Sequence, residues 1–116
     1  MWRNTDTASC PPLTLAAISN YPLVWDHTRP SAPGSLMTSG ASSLGWGLGA
    51  AIGAIMAGHA DQSCARDLVT LVVGDGSFIF GVPSAAFWIS RRYKAPFLTI
   101  VLNNGVRPSV TFSRFV

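Results

Sequence analysis

The chain has 116 residues, of which 48% are hydrophobic and 11% are charged, and its formal net charge is +3. This length is enough for one small domain, and the charged fraction is well below the roughly 25% of ordinary soluble domains. The basic cluster at residues 91–94 matches a helix end, where cations interact favourably with the carbonyl terminus, and it does not predict a nucleic-acid-binding surface. We expect partner domains or subunits to cover part of the apolar surface.

The cysteines and the N-terminus bear on the cellular compartment. Cys10 and Cys64 are far apart and form no CxxC pattern, so we expect reduced thiols and neither a zinc site nor a disulfide framework. The N-terminus lacks the charged and then apolar layout of a signal peptide, and the apolar stretch 44–58 is too short and glycine-rich for a membrane span. These features predict a soluble intracellular protein without a membrane partner, in the cytoplasm rather than in an organelle.

Residues 1–33 are predicted to form an irregular N-terminal segment. Prolines at positions 11, 12, 22, 30 and 33 disfavour helices and most strands, although a short helical turn fits residues 13–19. His27 lies in this segment, and we interpret it as a histidine of a surface loop.

Residues 34–43 are predicted to form a short strand and a loop, and residues 44–58 a helix. The helix is apolar on every side, which is typical of a buried helix, and Ser42 or Ser43 is a suitable N-cap. Each glycine in a helix interior costs about 1 kcal/mol relative to alanine. We therefore expect another backbone or a ligand to approach closely at the glycines of this helix, which are Gly45, Gly47, Gly49 and Gly53.

Two further strands and a second helix complete the pattern. Residues 68–73 and 97–102 are apolar runs, and residues 82–93 between them are typical of a helix with Pro83 in its first turn. Such a βαβ unit has parallel strands and a right-handed crossover, and unbroken apolar strands indicate that helices cover both faces of the sheet. The predicted fold class is α/β, a partial three-layer α/β/α domain with a parallel sheet.

Polar residues follow both apolar runs, as Gly74-Asp75-Gly76-Ser77 and as Asn103-Asn104-Gly105. Because the carboxyl ends of parallel strands share one edge, where ligands of open α/β folds bind, we expect the two tips to converge on one ion. Carboxylate and amide oxygens favour Mg²⁺ or Ca²⁺, and Mg²⁺ commonly bridges to substrate phosphates. The amides of Gly76 and Ser77 and the Ser77 hydroxyl are candidate phosphate donors. Either tip alone is equally compatible with an ordinary turn, so the prediction depends on the pair.

Three blocks, in order, resemble one enzyme family. Gly74-Asp75-Gly76 followed by Asn103-Asn104 is similar to the cofactor-binding motif of thiamine-diphosphate-dependent enzymes. Residues 38–54, TSGASSLGWGLGAAIGA, resemble the same domain in the acetolactate synthase and benzoylformate decarboxylase branch. The resemblance implies that residues 34–106 are a partial thiamine-diphosphate-binding domain, truncated, and that residues 107–116 are a divergent C-terminal tail.

The resemblance also implies roles for individual residues. Asp75 and Asn104 would bind Mg²⁺ through their side chains, and Val106 would bind it through its carbonyl oxygen. Leu44 would support the bent form of the cofactor, and the loop 40–43 would face the aminopyrimidine. The residues implied to contact the cofactor are Gly40, Ser43, Leu44, Gly74, Gly76 and Ser77.

The implied chemistry is decarboxylation or carboligation of a 2-oxo acid, with thiamine diphosphate as the electron acceptor. Family members activate this cofactor with a glutamate from another domain, usually of a partner subunit, and this sequence contains no glutamate. We therefore assign no catalytic residue here, and we expect the chain to need missing domains or a partner subunit of a dimeric or tetrameric enzyme. The alternative is a catalytically inactive truncated fragment, or an interaction module that docks on a full-length relative.

Two other nucleotide-binding interpretations are weaker. The glycines of residues 45–53 resemble a dinucleotide-binding pattern, but no predicted strand leads directly into them, and Asp67 precedes a strand instead of following one. A P-loop requires Gly-Lys-Ser or Gly-Lys-Thr, which the sequence lacks.

Overall fold

The architecture is a parallel sheet with helices on both faces. A computed structural model describes residues 11–16, 21–41 and 43–103. Within these ranges the elements are β1 (Leu13–Ala16), α1 (Tyr21–Thr28), β2 (Leu36–Thr38), α2 (Trp46–Ala60), β3 (Val69–Gly74), α3 (Asp75–Phe80), α4 (Pro83–Arg92) and β4 (Leu98–Leu102), with a 3₁₀ turn at Gln62–Cys64. None of the helices in these ranges is long and apolar enough to cross a membrane.

The four strands pair in the order β2-β1-β3-β4, and every pair is parallel. β1 lies between β2 and β3, since Thr14 aligns with Leu36 on one side and with Thr70 on the other. Parallel neighbours require crossover connections, and helices provide them between successive strands. The predicted α/β class is confirmed.

The prediction of irregular structure for residues 1–33 is wrong over residues 13–16 and 21–28. Residues 13–16 form a strand instead of the expected helical turn, because hydrogen bonding on both sides stabilises a strand of only four residues. α1 contains Pro22 at its second position. A proline in the first turn of a helix is tolerated, since the amide that it lacks has no intrahelical partner there.

Two hydrophobic clusters lie on opposite faces of the sheet. On one face α2 and α4 cover alternate residues of β1 and β3, including Leu15 and Leu71, which are fully buried. On the other face α1 places Val24 against Ala16 and Val72. These two faces give the predicted three-layer arrangement.

Helix α2 differs from its prediction at its start and on one face. Its N-cap is Gly45, with φ 82° and no side-chain cap, so the predicted serine cap is wrong at Ser43, and Ser42 lies outside the described residues. Gly49 and Gly53 are exposed, and a Cβ added at either would meet nothing within 4 Å. The close approach expected at the glycines is therefore absent at these two within the part of the chain that is described.

Strand β4 departs from the expectation that both sheet faces are covered. Its residues Leu98, Ile100 and Val101 are exposed, with half of the Leu98 side chain accessible. β4 is a terminal strand of the sheet among the described residues. Leu98 and Ile100 lie on the face that α1 covers at its other end, whereas Val101 lies on the face of α2 and α4. An apolar strip thus remains uncovered along β4.

Candidate functional site

The carboxyl ends of β3 and β4 are direct neighbours. Gly74, the last residue of β3, aligns with Leu102, the last residue of β4. The residues that follow, Asp75 and Asn103, therefore start from adjacent points of one sheet edge, where backbones are about 5 Å apart. β2 ends at Thr38 on the same edge, beyond β1.

Asp75 is the first residue of helix α3. Gly74 precedes it as an extended N-cap, with φ −72° and ψ 154°, and provides no side-chain cap. The sequence predicted a polar tip at Gly74-Asp75-Gly76-Ser77 and, after this tip, no helix before residue 82, whereas β3 continues directly into α3. The half-buried Asp75 carboxylate is consequently held at the junction of two regular elements instead of on a mobile turn.

Ser77 connects the two sequence blocks of the predicted site. Its side chain is 7% exposed, and its Oγ accepts a hydrogen bond from the backbone amide of Gly45 at 3.2 Å. The hydroxyl keeps its own proton, so Ser77 retains a donor for a ligand oxygen.

Gly45 also packs against the end of α3. Its φ of +82° is a left-handed conformation that side chains rarely adopt. A Cβ added at Gly45 would lie 3.1 Å from both Gly81 Cα and Phe80 Cδ1. The loop before α2 is therefore held at Gly45 against both Ser77 and Gly81.

Open space lies beside the remaining predicted residues. A Cβ added at Gly40 or at Gly76 would meet nothing within 4 Å, and the side chains of Ser43 and Leu44 are exposed. Ser39, which follows β2, has a buried Oγ without a hydrogen-bond partner among the described residues. This edge of the sheet thus combines a carboxylate, an available hydroxyl and room for a ligand.

The sequence model of one family matches residues 17–111, and its description is "Thiamine pyrophosphate enzyme, C-terminal TPP binding domain". The chain belongs to this family. Its cofactor, thiamine pyrophosphate, is the compound also called thiamine diphosphate. The match includes β2, β3 and β4, together with every described residue of the predicted site.

A curated relative supports the same family. Benzoylformate decarboxylase of Pseudomonas aeruginosa is 36% identical to the chain over 81 residues, which cover 70% of this chain and 14% of that enzyme. The chain thus spans a small part of the length of this relative. No solved structure matches the chain.

The described residues of this thiamine pyrophosphate enzyme domain fit the cofactor. The Asp75 carboxylate is a hard ligand for a divalent cation, a Cβ at Gly76 would meet nothing within 4 Å, and the Ser39 hydroxyl, without a partner among the described residues, lies in the loop after β2. Among the described residues no group of three or more His, Cys, Asp or Glu gathers. The predicted metal ligands Asn104 and Val106 lie outside the described residues.

Sequence reasoning overlooked three residues of this edge. Gly45 was interpreted only as a helix glycine, whereas it is the left-handed N-cap of α2. Gly81 ends α3, and the Gly-Val-Pro signal at residues 81–83 could have indicated a helix boundary there. Ser39 carries no sequence signal that distinguishes it from its neighbours.

Proposed function

We propose that the chain binds thiamine diphosphate together with Mg²⁺ at the carboxyl edge of its sheet, as part of an enzyme that acts on 2-oxo acids. The observation that carries this proposal is the alignment of Gly74 with Leu102. That alignment supports the proposal because Asp75 and Asn103 directly follow the ends of two adjacent strands, and Asn104 is the next residue in a segment matched by the family.

Each residue of the edge has a defined part in this proposal. Asp75 and Asn104 hold Mg²⁺ through side-chain oxygens, and Val106 adds its carbonyl oxygen. Gly76 and Ser77 donate hydrogen bonds to the diphosphate, and the lack of a side chain at Gly76 leaves room for it. Mg²⁺ held by Asp75 would offset the repulsion between this carboxylate and the phosphates.

The other end of the cofactor is assigned to the loop before α2. Leu44 is 38% exposed, and in this proposal its side chain contacts the middle of the bent cofactor. The backbone of Gly40 and Ser43 faces the aminopyrimidine ring. The hydrogen bond between Gly45 and Ser77 supports a fixed position of this loop relative to the diphosphate end.

When bound, thiamine diphosphate supplies an electron sink for cleavage or formation of a bond next to a 2-oxo group. The residues of this chain bind and orient it. The chain has no glutamate, so we assign the proton transfer at the aminopyrimidine to another domain or subunit. The name of the relative, benzoylformate decarboxylase, supports a 2-oxo acid as the substrate class.

Exposed apolar side chains favour a second candidate function, that of an interaction module. Ile79 is 72% exposed and Trp88 is 66% exposed, and Phe80 and Val82 lie near them in sequence and are also exposed. Exposed apolar patches of this kind mark protein–protein contacts. In this alternative the chain docks on a full-length relative and does not itself take part in catalysis.

Calorimetry on the purified chain tests cofactor binding. Thiamine diphosphate should bind in the presence of Mg²⁺ and lose affinity when EDTA removes the metal. Asp75→Ala should weaken binding by at least about tenfold, since loss of a residue that only supports a metal ligand already has an effect of that size. Asp67→Ala is the matched control, because Asp67 is exposed and precedes β3 at the opposite edge of the sheet. Equal affinity of the wild type and Asp75→Ala would remove the metal assignment.

A turnover assay with benzoylformate or pyruvate separates the two candidate functions. The isolated chain should bind the cofactor without turnover, since no residue is available for the glutamate's role. Turnover by the isolated chain would contradict that assignment. Association with a full-length relative in the absence of cofactor binding would favour the interaction module.

A further inference from the structure

We propose that Gly81 is a positioning residue that aligns the two ends of the cofactor site, an inference that rests on the proposed function. Gly81 lies outside the motif blocks and has φ −75° and ψ 5°, a conformation open to any residue. Its requirement for glycine is therefore one of space. A Cβ at this position would lie 2.8 Å from Leu48 Cδ1, 3.2 Å from Gly45 O and 3.4 Å from Gly45 Cα.

The two glycines pack backbone against backbone. A Cβ at Gly45 would in turn lie 3.1 Å from Gly81 Cα and 3.2 Å from Gly81 N. A methyl group at either position would lie tightly against the other residue, so the two main chains approach closely. Leu48 is the third neighbour of Gly81, and its side chain is buried in the core between α2 and the sheet.

Three contacts join Gly45, Ser77 and Gly81 in a closed triangle. The Gly45 amide donates to Ser77 Oγ at 3.2 Å, the Gly81 amide donates to Ser77 O at 3.1 Å, and Gly81 packs on Gly45. Ser77 belongs to the diphosphate end of the proposed site, and Gly45 adjoins Leu44 at the other end. The triangle thus sets the distance between the two ends.

A methyl group at Gly81 must displace either the Leu48 side chain or the backbone of Gly45. Leu48 has little freedom to move because the core around it is closely packed. The backbone of Gly45 therefore shifts away from α3 and carries Leu44 with it. A ligand that contacts both ends loses affinity, whereas a ligand that contacts only the Asp75–Ser77 end does not.

Two ligands of different length distinguish positioning from general loosening. We would measure the affinity of the full chain for thiamine diphosphate and for inorganic pyrophosphate, each with Mg²⁺, by calorimetry. Gly81→Ala should lower the affinity for thiamine diphosphate by about tenfold, the order expected for a misplacement below 1 Å. It should leave pyrophosphate within about twofold of the wild type.

Two further variants serve as control and rescue. Gly53→Ala adds the same methyl group to the exposed face of α2, where nothing lies within 4 Å, and should leave both affinities unchanged. Leu48→Val removes the Cδ atoms that the new methyl group would meet. In the Gly81→Ala background it should restore most of the affinity for thiamine diphosphate.

Each remaining outcome overturns the proposal. An equal loss of affinity for both ligands in Gly81→Ala would assign Gly81 a purely structural role. Unchanged affinity for both ligands in the folded variant would show that Gly81 does not act on the site. If the wild type does not bind thiamine diphosphate, whether or not it binds pyrophosphate, the proposed function itself fails. Circular dichroism checks folding, and trimethylamine N-oxide, which strengthens burial without contacting the site, is added for any variant that unfolds.

Discussion

The hydroxyl of Ser77 accepts a hydrogen bond from the Gly45 amide at 3.2 Å, across 32 residues of sequence. Gly45 is the N-cap of α2 and has no cap from a side chain of its own segment. Ser77 therefore provides from α3 an acceptor for the N-cap amide, the role that the N3 glutamate or glutamine of a capping box has in other helices.

Replacement of Ser77 by alanine should lower the free energy of unfolding by about 1 kcal/mol, since the Gly45 amide would lose its acceptor in a partly buried position. Urea unfolding followed by circular dichroism measures the change. Ser84→Ala is the control, because Ser84 is exposed on α4 and should change stability little. An unaltered midpoint in Ser77→Ala would mean that the bond contributes nothing.

The glycines of α2 should respond in opposite directions to alanine. Gly49→Ala and Gly53→Ala should each raise the free energy of unfolding by about 1 kcal/mol, because both are exposed in a helix interior with open space around the new methyl group. Gly45→Ala should lower it, because of its left-handed φ and its contact with Gly81. Thermal unfolding compares the three variants, and destabilisation by Gly49→Ala would show that the face is occupied.

The Val82→Gly variant should be more stable than the wild type. Val82 has φ 50°, which strains a β-branched side chain, and 57% of the residue is exposed, so little burial is lost. Relief of the strain, reduced by the flexibility of glycine, should raise the free energy of unfolding by about 0.5–1 kcal/mol. Val101→Gly in the extended strand β4 is the matched control and should be destabilising. Destabilisation by Val82→Gly would argue against the strain.

Leu44→Ala should affect the two ends of the proposed site differently. This change should weaken thiamine diphosphate binding and leave the binding of Mg²⁺-pyrophosphate unchanged, because Leu44 is assigned to the middle of the cofactor. Calorimetry with both ligands gives the result. Leu68→Ala, at an exposed leucine before β3, controls for the loss of apolar surface, and weakened pyrophosphate binding in Leu44→Ala would contradict the assignment.

The turn after α2 should lose stability in acid. The Ser63 hydroxyl and amide donate to Asp61 Oδ1 at 2.8 and 2.9 Å. These hydrogen bonds hold the pKa of the Asp61 carboxyl below its usual value, and the bond from the hydroxyl has the larger effect. The resulting stabilisation is complete above the unfolded pKa of about 3.9 and is lost as the pH falls through the lower folded pKa. An NMR titration should find a higher Asp61 pKa in Ser63→Ala and no change in Ser31→Ala; an unshifted pKa in Ser63→Ala would reject this cause.

The strands and helices with strong local patterns were predictable from sequence. β3 and β4 are apolar runs, and α4 begins at Pro83, one residue after its predicted start and with this proline in its first turn as expected. β1 was not predictable, because four residues after two prolines carry little local signal and its stability comes from pairing with β2 and β3. Short central strands of this kind depend on tertiary context.

Part of the geometry of the candidate site was predictable from sequence, and its ligand chemistry stays a prediction. The order of the motifs indicated that the two tips meet, and Gly74 and Leu102 are aligned. The contact between Gly45 and Gly81 was not predictable, because it depends on how α3 packs against the loop before α2. The assignments of Asn104 and Val106 stay predictions, since both lie outside the described residues.

The position of β1 has a consequence for synthesis on the ribosome. β1 is translated before every other described element, yet one of its two partners, β3, begins only at Val69, after α1, β2 and α2 have been made. Distant pairings of this kind slow folding. The nascent chain must therefore hold an apolar strand without its full set of neighbours through much of its elongation, and this interval is when chaperone binding would matter most.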